Sequence, residues 1–72
     1  MIRELDSVVL THDVPEQGLK QGDVGTVVLE HDDKGYEVEF ITLDGETLAV
    51  ISLSAEQLRS VGRREIAHAR AV

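Results

Sequence analysis

The side chains of this 72-residue sequence that are best suited to chemistry are its carboxylates and its histidines. His12, His31 and His68 are far apart in the sequence and fall in predicted loop or tail positions, which is typical of solvated histidines and not of metal ligands. The run Glu30–Asp33 offers hard ligands, but it lacks the regular alternation of a calcium loop. We therefore predict that the protein holds no metal and no cofactor.

Glu37 and Glu39 form the carboxylate pair with the most enzyme-like spacing. Same-face neighbours on a strand are about 7 Å apart, a distance within the range that glycoside hydrolases use. The two glutamates alternate with Tyr36, Val38 and Phe40, and this pattern predicts a half-buried strand with the apolar residues on its core side. The alternation favours a solvated outer face over a catalytic pair.

Nucleophilic catalysis has no stronger candidate in the sequence. The serines of the sequence are Ser7, Ser52, Ser54 and Ser60. None of them has a nearby histidine in a nucleophile motif. Gly22 and Gly25 precede a predicted strand and not a helix, so no helix N-terminus is available there to hold a phosphate. We predict no catalytic residue and no enzymatic activity, unless a partner chain supplies half of a site.

The charge of the chain is acidic and unevenly distributed. Its net charge at pH 7 is −7, and residues 62–72 carry Arg63, Arg64 and Arg70 against Glu65, a net +2 that leaves −9 on residues 1–61. An acidic body is a poor electrostatic match to a phosphate backbone, whereas it attracts a basic protein. The sequence therefore predicts a basic protein partner and argues against nucleic acid.

A protein-binding surface is the function that this charge favours. The carboxylates expected to steer the partner are Glu30, Asp32, Asp33, Glu37 and Glu39. The outer faces of Val27, Leu29 and Ile51 are expected to supply the apolar centre of the interface, and the same residues could join two copies in a homodimer. The single tyrosine and the single phenylalanine are both expected on the core side, which leaves no aromatic ring to stack on bases.

The residue pattern predicts a mainly β domain over residues 1–61 and a basic tail over residues 62–72. Strands are predicted at 6–11, 24–30, 36–40, 48–51 and 58–61. Ser54 and Gln57 match a capping box, which predicts one helical turn before the last strand. The alanine-rich tail is too short for a stable isolated helix, so we expect it to be loose or a frayed helix.

Several single residues have predicted structural roles. Core positions are expected at Leu5, Val8 and Leu10 of the first strand and at Leu19, an apolar anchor in the polar loop that follows. The glycines expected to shape turns or bends are Gly22, Gly25, Gly35 and Gly45. Gly25 interrupts a β-branched run, which predicts a bulge or a close backbone approach.

The size and composition predict a small soluble protein. A chain of 72 residues makes one domain with a thin core, and the absence of cysteine leaves it without a disulfide framework. The N-terminus lacks the pattern of a signal peptide, and no apolar run approaches the about 20 residues that span a bilayer. We expect a cytoplasmic location.

The order of the predicted elements resembles a five-stranded SH3-like barrel, with one helical turn before the last strand. The segment 19–27, LKQGDVGTV, is similar to the glycine-turn segment of the KOW-type SH3-like domains of ribosomal and transcription-elongation proteins. Residues 2–61 resemble a family of small bacterial proteins classed only as a domain of unknown function. Segments 5–10, 18–28, 36–40 and 53–58 carry this wider resemblance.

The wider resemblance implies the barrel and a stand-alone bacterial protein, and it implies no chemistry. We predict a non-catalytic protein-binding module, such as an antitoxin, an immunity protein or another accessory partner of a basic protein. The alternative is a KOW-like module associated with RNA or the ribosome.

Overall fold

The computed structural model describes residues 2–32 and 35–72. The strands are β1 Ser7–Leu10, β2 Val24–Glu30, β3 Tyr36–Ile41, β4 Thr47–Leu53 and β5 Leu58–Ser60. Two short 3₁₀ turns, Pro15–Gln17 and Ala55–Gln57, precede β2 and β5. The mainly β prediction is confirmed, and each predicted strand overlaps an observed one. No helix among the described residues is long and apolar enough to cross a membrane.

The five strands form one antiparallel sheet in the order β4-β3-β2-β1-β5. Within residues 2–32 and 35–72, β4 pairs only with β3 and β5 pairs only with β1. The sheet is therefore not closed, and the predicted closed barrel is not confirmed. The last strand has three residues, and all three are used in pairing with β1.

The core lies on one face of the sheet. It also includes the two residues that flank the Pro15–Gln17 turn, Val14 and Leu19. Its buried residues are Val8, Leu10, Val14, Leu19, Val27, Val38, Phe40, Leu53 and Leu58. Val14 donates its N–H to the carbonyl of Leu19 at 2.9 Å, which closes the loop and buries both side chains. The sequence predicted Leu19 as the anchor of this loop and missed Val14.

The prediction that Leu5 belongs to the core is wrong. Leu5 lies in a turn before β1 with a φ of +73°, and its side chain is 79% exposed. Its backbone N–H donates to the carbonyl of Val27 at 2.7 Å, so the residue continues the pairing with β2 through its backbone. The left-handed conformation turns the side chain away from the face that Val8 and Leu10 share.

The prediction that Val27 faces outward is also wrong. Val27 is fully buried opposite Val38, and the register between β2 and β3 shifts between Val27 and Leu29. A bulge inserts one extra residue, so the residues beyond it change face relative to simple alternation. Leu29 consequently pairs with Glu37 on the outer face, where it is 45% exposed.

Gly25 lies inside β2 and not in a turn, and the bulge falls at Val28 instead. A Cβ atom at Gly25 would lie 2.6 Å from Val38 Cγ1 and 2.8 Å from Phe40 Cε1. The strand therefore approaches two core side chains so closely that only glycine fits. Gly22 and Gly45 have φ values of +96°, and Gly35 has a φ of +132°.

The turn before β5 has the residues that the sequence predicted. Ser54 and Gln57 form the capping box at the start of the Ala55–Gln57 turn. The Gln57 side-chain oxygen accepts the Ser54 backbone N–H at 2.9 Å and the Ser54 hydroxyl at 3.2 Å. The turn thereby places Leu58 in the core at the start of β5.

Candidate partner-binding face

The outer face of the central strands combines carboxylates with exposed apolar residues. Glu37 lies between Leu29 and Ser52 in the register, and Glu39 lies between Thr26 and Val50. Directly paired residues on antiparallel strands share a face, so these side chains form one surface. We name it the acidic face, which consists of Thr26, Leu29, Glu37, Glu39, Val50 and Ser52.

Glu37 is fixed by two side-chain contacts on the acidic face. Its Oε2 atom accepts a hydrogen bond from the Ser52 hydroxyl and lies 2.8 Å from His31 Nε2. The hydrogen bond from Ser52, with a smaller contribution from His31, holds the pKa of Glu37 below its usual value. Glu37 is therefore ionised at neutral pH and restricted in its conformation.

Glu39 is also held by a cross-strand contact. Its Oε2 atom accepts a hydrogen bond from the Thr47 hydroxyl at 2.9 Å, across to β4. The two glutamates thus present carboxylates on the same face, each restrained by a neighbouring strand. Leu29 and Val50, 45% and 51% exposed, flank them and supply apolar surface.

The structure brings together only part of the predicted set. Glu30 pairs with Tyr36, which packs against the core, and its carboxylate accepts the backbone N–H of Glu4 at 3.1 Å. The Glu30 side chain therefore lies on the opposite face of the sheet from Glu37. Asp32 is exposed in the following turn with a φ of +49°. Asp33 lies outside the described residues.

The predicted apolar centre needs a similar correction. Ile51 pairs with Val38 and packs against the core, so it does not face outward. Val50 occupies the outer position instead. The alternation along β4 was readable from the sequence, but the sequence gives no sign of which of its two apolar sets faces the core.

The titratable side chains on and around the acidic face form no catalytic or metal-binding cluster among the described residues. Within residues 2–32 and 35–72, no three His, Cys, Asp or Glu side chains converge as a metal-binding group. His31 is engaged with Glu37, and the His12 Nδ1 atom lies 2.8 Å from the Thr11 hydroxyl. What the acidic face offers chemically is fixed negative charge beside apolar surface.

The C-terminal tail, residues 62–72, has neither helix nor strand, so the helical alternative for it is wrong. Arg59 in β5 forms two hydrogen bonds of 2.8 Å with the carboxylate of Glu65. Arg70 binds Asp23 through Nε at 2.8 Å and Nη2 at 2.5 Å, and Nη2 also donates to the Gly18 carbonyl at 3.1 Å. The tail is thus attached to the sheet at two points.

The tail runs over the outer side of β1. Val9 is only 6% exposed although it lies outside the core cluster, and its register partners are Val24 and Arg59. Together with Glu65–His68 these residues line one crevice. The tail therefore helps to cover the second face of β1, a role that the sequence analysis missed.

A groove of about 480 Å³ opens between the end of the tail and the turn that joins β3 to β4. Its apolar lining includes Val24, Phe40, Ile41, Leu43, Leu48 and Val72. Arg70 and Asp23 also line it. The ion pair that holds the tail in place therefore forms part of the wall of this groove.

A family model described as "Domain of unknown function (DUF4926)" matches residues 4–60. No curated protein and no solved structure matches the chain. The matched range includes all five strands and ends where the tail begins to leave the sheet. The chain belongs to the DUF4926 family.

Proposed function

We propose that this protein is a non-catalytic binding module whose acidic face receives a basic protein. The observation that carries the proposal is the pair of restrained carboxylates, Glu37 and Glu39, between the exposed apolar residues Leu29 and Val50. Protein interfaces combine an apolar centre with polar groups of complementary charge. The acidic face has both features within one sheet surface.

The restraint of the glutamates favours binding. A side chain that is already held by neighbours loses less conformational freedom when a partner immobilises it. Ser52 and His31 hold Glu37, and Thr47 holds Glu39, before any partner arrives. The net charge of −7 adds long-range attraction that raises the association rate with a basic protein.

We also propose that the fold is SH3-like and that the partner relation is of the antitoxin, immunity or accessory type. The strand order and the 3₁₀ turn directly before β5 support the fold proposal. The small size and the acidic charge support the partner proposal. A bacterial source and a cytoplasmic location belong to the same proposal.

An RNA-associated role is the competing function. The contacts of the arginines distinguish it from the binding of a basic protein. Arg59 and Arg70 each make hydrogen-bonded ion pairs with carboxylates of the same chain. Phosphate binding at these positions requires those pairs to break first. The ion pairs therefore favour the protein-binding proposal over the RNA-associated one.

A pull-down with the tagged chain from a lysate of its source cell tests the proposal. It is run with and without nuclease and at two salt concentrations, because charge steering between exposed groups is screened by salt. We expect one stoichiometric basic protein that survives nuclease and loosens at high salt. Recovery of ribosomal or transcription proteins that nuclease removes would replace the proposal with the RNA-associated module.

A further inference from the structure

Strand β4, Thr47–Leu53, is a free edge of the described sheet. The hydrogen bonds at the centre of the sheet determine which β4 residues direct their backbone N–H and carbonyl groups away from β3. Val27 uses its N–H and its carbonyl toward the β1 side, in bonds to Asp6 and Leu5. Backbone groups alternate in direction along a strand, so Thr26 bonds toward β3.

The same alternation continues across β3 to the edge. Thr26 pairs with Glu39, so the neighbouring residue Val38 directs its backbone groups to Ile51 of β4. The residues on either side of Ile51, Val50 and Ser52, therefore direct their N–H and carbonyl groups away from the sheet. These groups are available for pairing with another strand.

The edge has a β-bulge at Leu48, where the pairing with β3 shifts, but it has neither of the other two common protections, charge and proline. Edge strands are commonly short or carry charges or proline, which discourage pairing with other chains. Residues 47–55, TLAVISLSA, contain no charged residue and no proline, and they form the longest stretch without Asp, Glu, Lys or Arg in the sequence. The chain is 29% charged, so an uncharged stretch on the free edge is notable.

We propose that β4 pairs antiparallel with β4 of a second copy, with Val50 on the two-fold axis. In this register Ala49 lies opposite Ile51 and Leu48 lies opposite Ser52, and the bulge at Leu48 ends the regular ladder there. Val50 meets Val50 of the second copy as a hydrogen-bonded pair, which uses the outward groups described above. The result is a continuous ten-stranded sheet built from the two copies.

The positions of the charged residues around β4 are compatible with a second copy of the chain as its pairing partner. Glu46 and Glu56 bound the uncharged stretch. Both lie outside the paired segment 48–52 about Val50, so the ladder itself contains no carboxylate. Like charges directly opposite each other destabilise a sheet, and this register avoids them. The strand is therefore complementary to itself.

Salt separates this dimer from the proposed binding of a basic protein. Two copies that each carry −7 repel one another, while their contact strands are uncharged. Screening removes the repulsion, so higher salt strengthens the dimer. The same change weakens the binding of a basic partner to the acidic face, and the two proposals can therefore fail independently.

Sedimentation of the purified full chain over a range of concentrations, at low and high salt, tests the dimer. We expect the mass to rise from 7.9 kDa to twice that value, at a lower concentration in high salt. Val50→Lys places a charge on the two-fold axis and is expected to leave only the single-chain mass. Leu29→Lys is the control, because it changes the net charge equally at an exposed position of the acidic face away from the edge.

Ser52→Pro is a second variant that acts on the backbone. It removes an outward N–H, and proline is tolerated on an edge strand where the N–H faces solvent. Circular dichroism establishes that each variant is folded, and Ser52→Pro decides the question if Val50→Lys does not fold. A wild-type chain that stays at 7.9 kDa in high salt would overturn the proposal, as would equal dimerisation of Val50→Lys and Leu29→Lys.

Discussion

At the scale of single residues, Gly25 shows how closely the strands approach one another. Its neighbours Val38 and Phe40 are both buried, and they occupy the space that any side chain at Gly25 would need. Cores of this packing density relax poorly around an added methyl group. The glycine in the β-branched run of β2 is therefore a packing requirement of the core.

We expect Gly25→Ala to lower the free energy of unfolding by about 1–3 kcal/mol, as overpacked cores do. Chemical denaturation followed by circular dichroism measures this change. Ser60→Ala at an exposed position of β5 is the control and should stay within about 0.5 kcal/mol of the parent. Equal stability of Gly25→Ala and the parent would show that the strands are further apart.

The titration of Glu65 reports on the attachment of the tail. The hydrogen bonds from Arg59, followed by the backbone bond from Gly62, lower the pKa of Glu65 from 4.5 to about 2. A lowered pKa means that the attached state favours the ionised carboxylate. The attachment is therefore complete above pH 4.5 and is lost as the pH falls toward 2.

Carboxyl chemical shifts measured by NMR across this acid range test the prediction. Glu65 should titrate with a pKa well below 4.5, the usual value for a glutamate. The backbone amides of residues 62–72 should shift together with Glu65. A Glu65 that titrates with a pKa near 4.5 would show that Arg59 does not hold it.

At the scale of elements, the strands were easier to predict than the surfaces they form. Alternation in β3 correctly identified Tyr36, Val38 and Phe40 as the core side. The face of β2 was predicted wrongly because the bulge at Val28 changes the alternation, and a bulge leaves no fixed sequence signal. One inserted residue therefore reversed the assignment of Val27.

The tail could not be predicted for a different reason. Arg70 and Asp23 are 47 residues apart, and no periodic pattern connects two residues at such a separation. The carboxylate of Asp23 also accepts the Lys20 backbone N–H at 2.9 Å in the turn before β2. Asp23 is typical of a turn residue in the sequence, and in the structure it also attaches the tail through Arg70.

We expect Arg70→Ala to release the end of the tail with little effect on global stability. An ion pair near the surface contributes about 1 kcal/mol or less, so the unfolding transition should move only slightly. NMR relaxation of the backbone amides should show faster motion in residues 66–72. Arg63→Ala, in the exposed turn of the tail, is the control and should leave that motion unchanged.

At the scale of the whole molecule, charged groups lie on the outer face of the central strands and are absent from the neighbouring edge strand. The acidic face presents Glu37 and Glu39, whereas the free edge of β4 is uncharged. The uneven charge was visible in the sequence, but the grouping of carboxylates was not. Glu30 and Glu37 fall on opposite sides of the sheet because of the bulge at Val28, which also puts Val27 and Leu29 on different faces.

The central claim is that the acidic face binds a basic protein, and charge reversal tests it most directly. Glu37→Lys combined with Glu39→Lys reverses both restrained carboxylates. Glu16→Lys combined with Glu56→Lys changes the net charge by the same amount at exposed positions in the two 3₁₀ turns. Both double variants are first shown by circular dichroism to be folded.

The measurement is the affinity of each variant for the protein recovered by the wild-type chain. Reversal of Glu37 and Glu39 should weaken binding by at least tenfold, about 1.4 kcal/mol, and remove most of its salt dependence, while the control loses less. An equal loss of affinity in the two double variants would show that only the net charge of the chain matters, and not the acidic face. Unchanged affinity in the Glu37 and Glu39 variant would contradict the account.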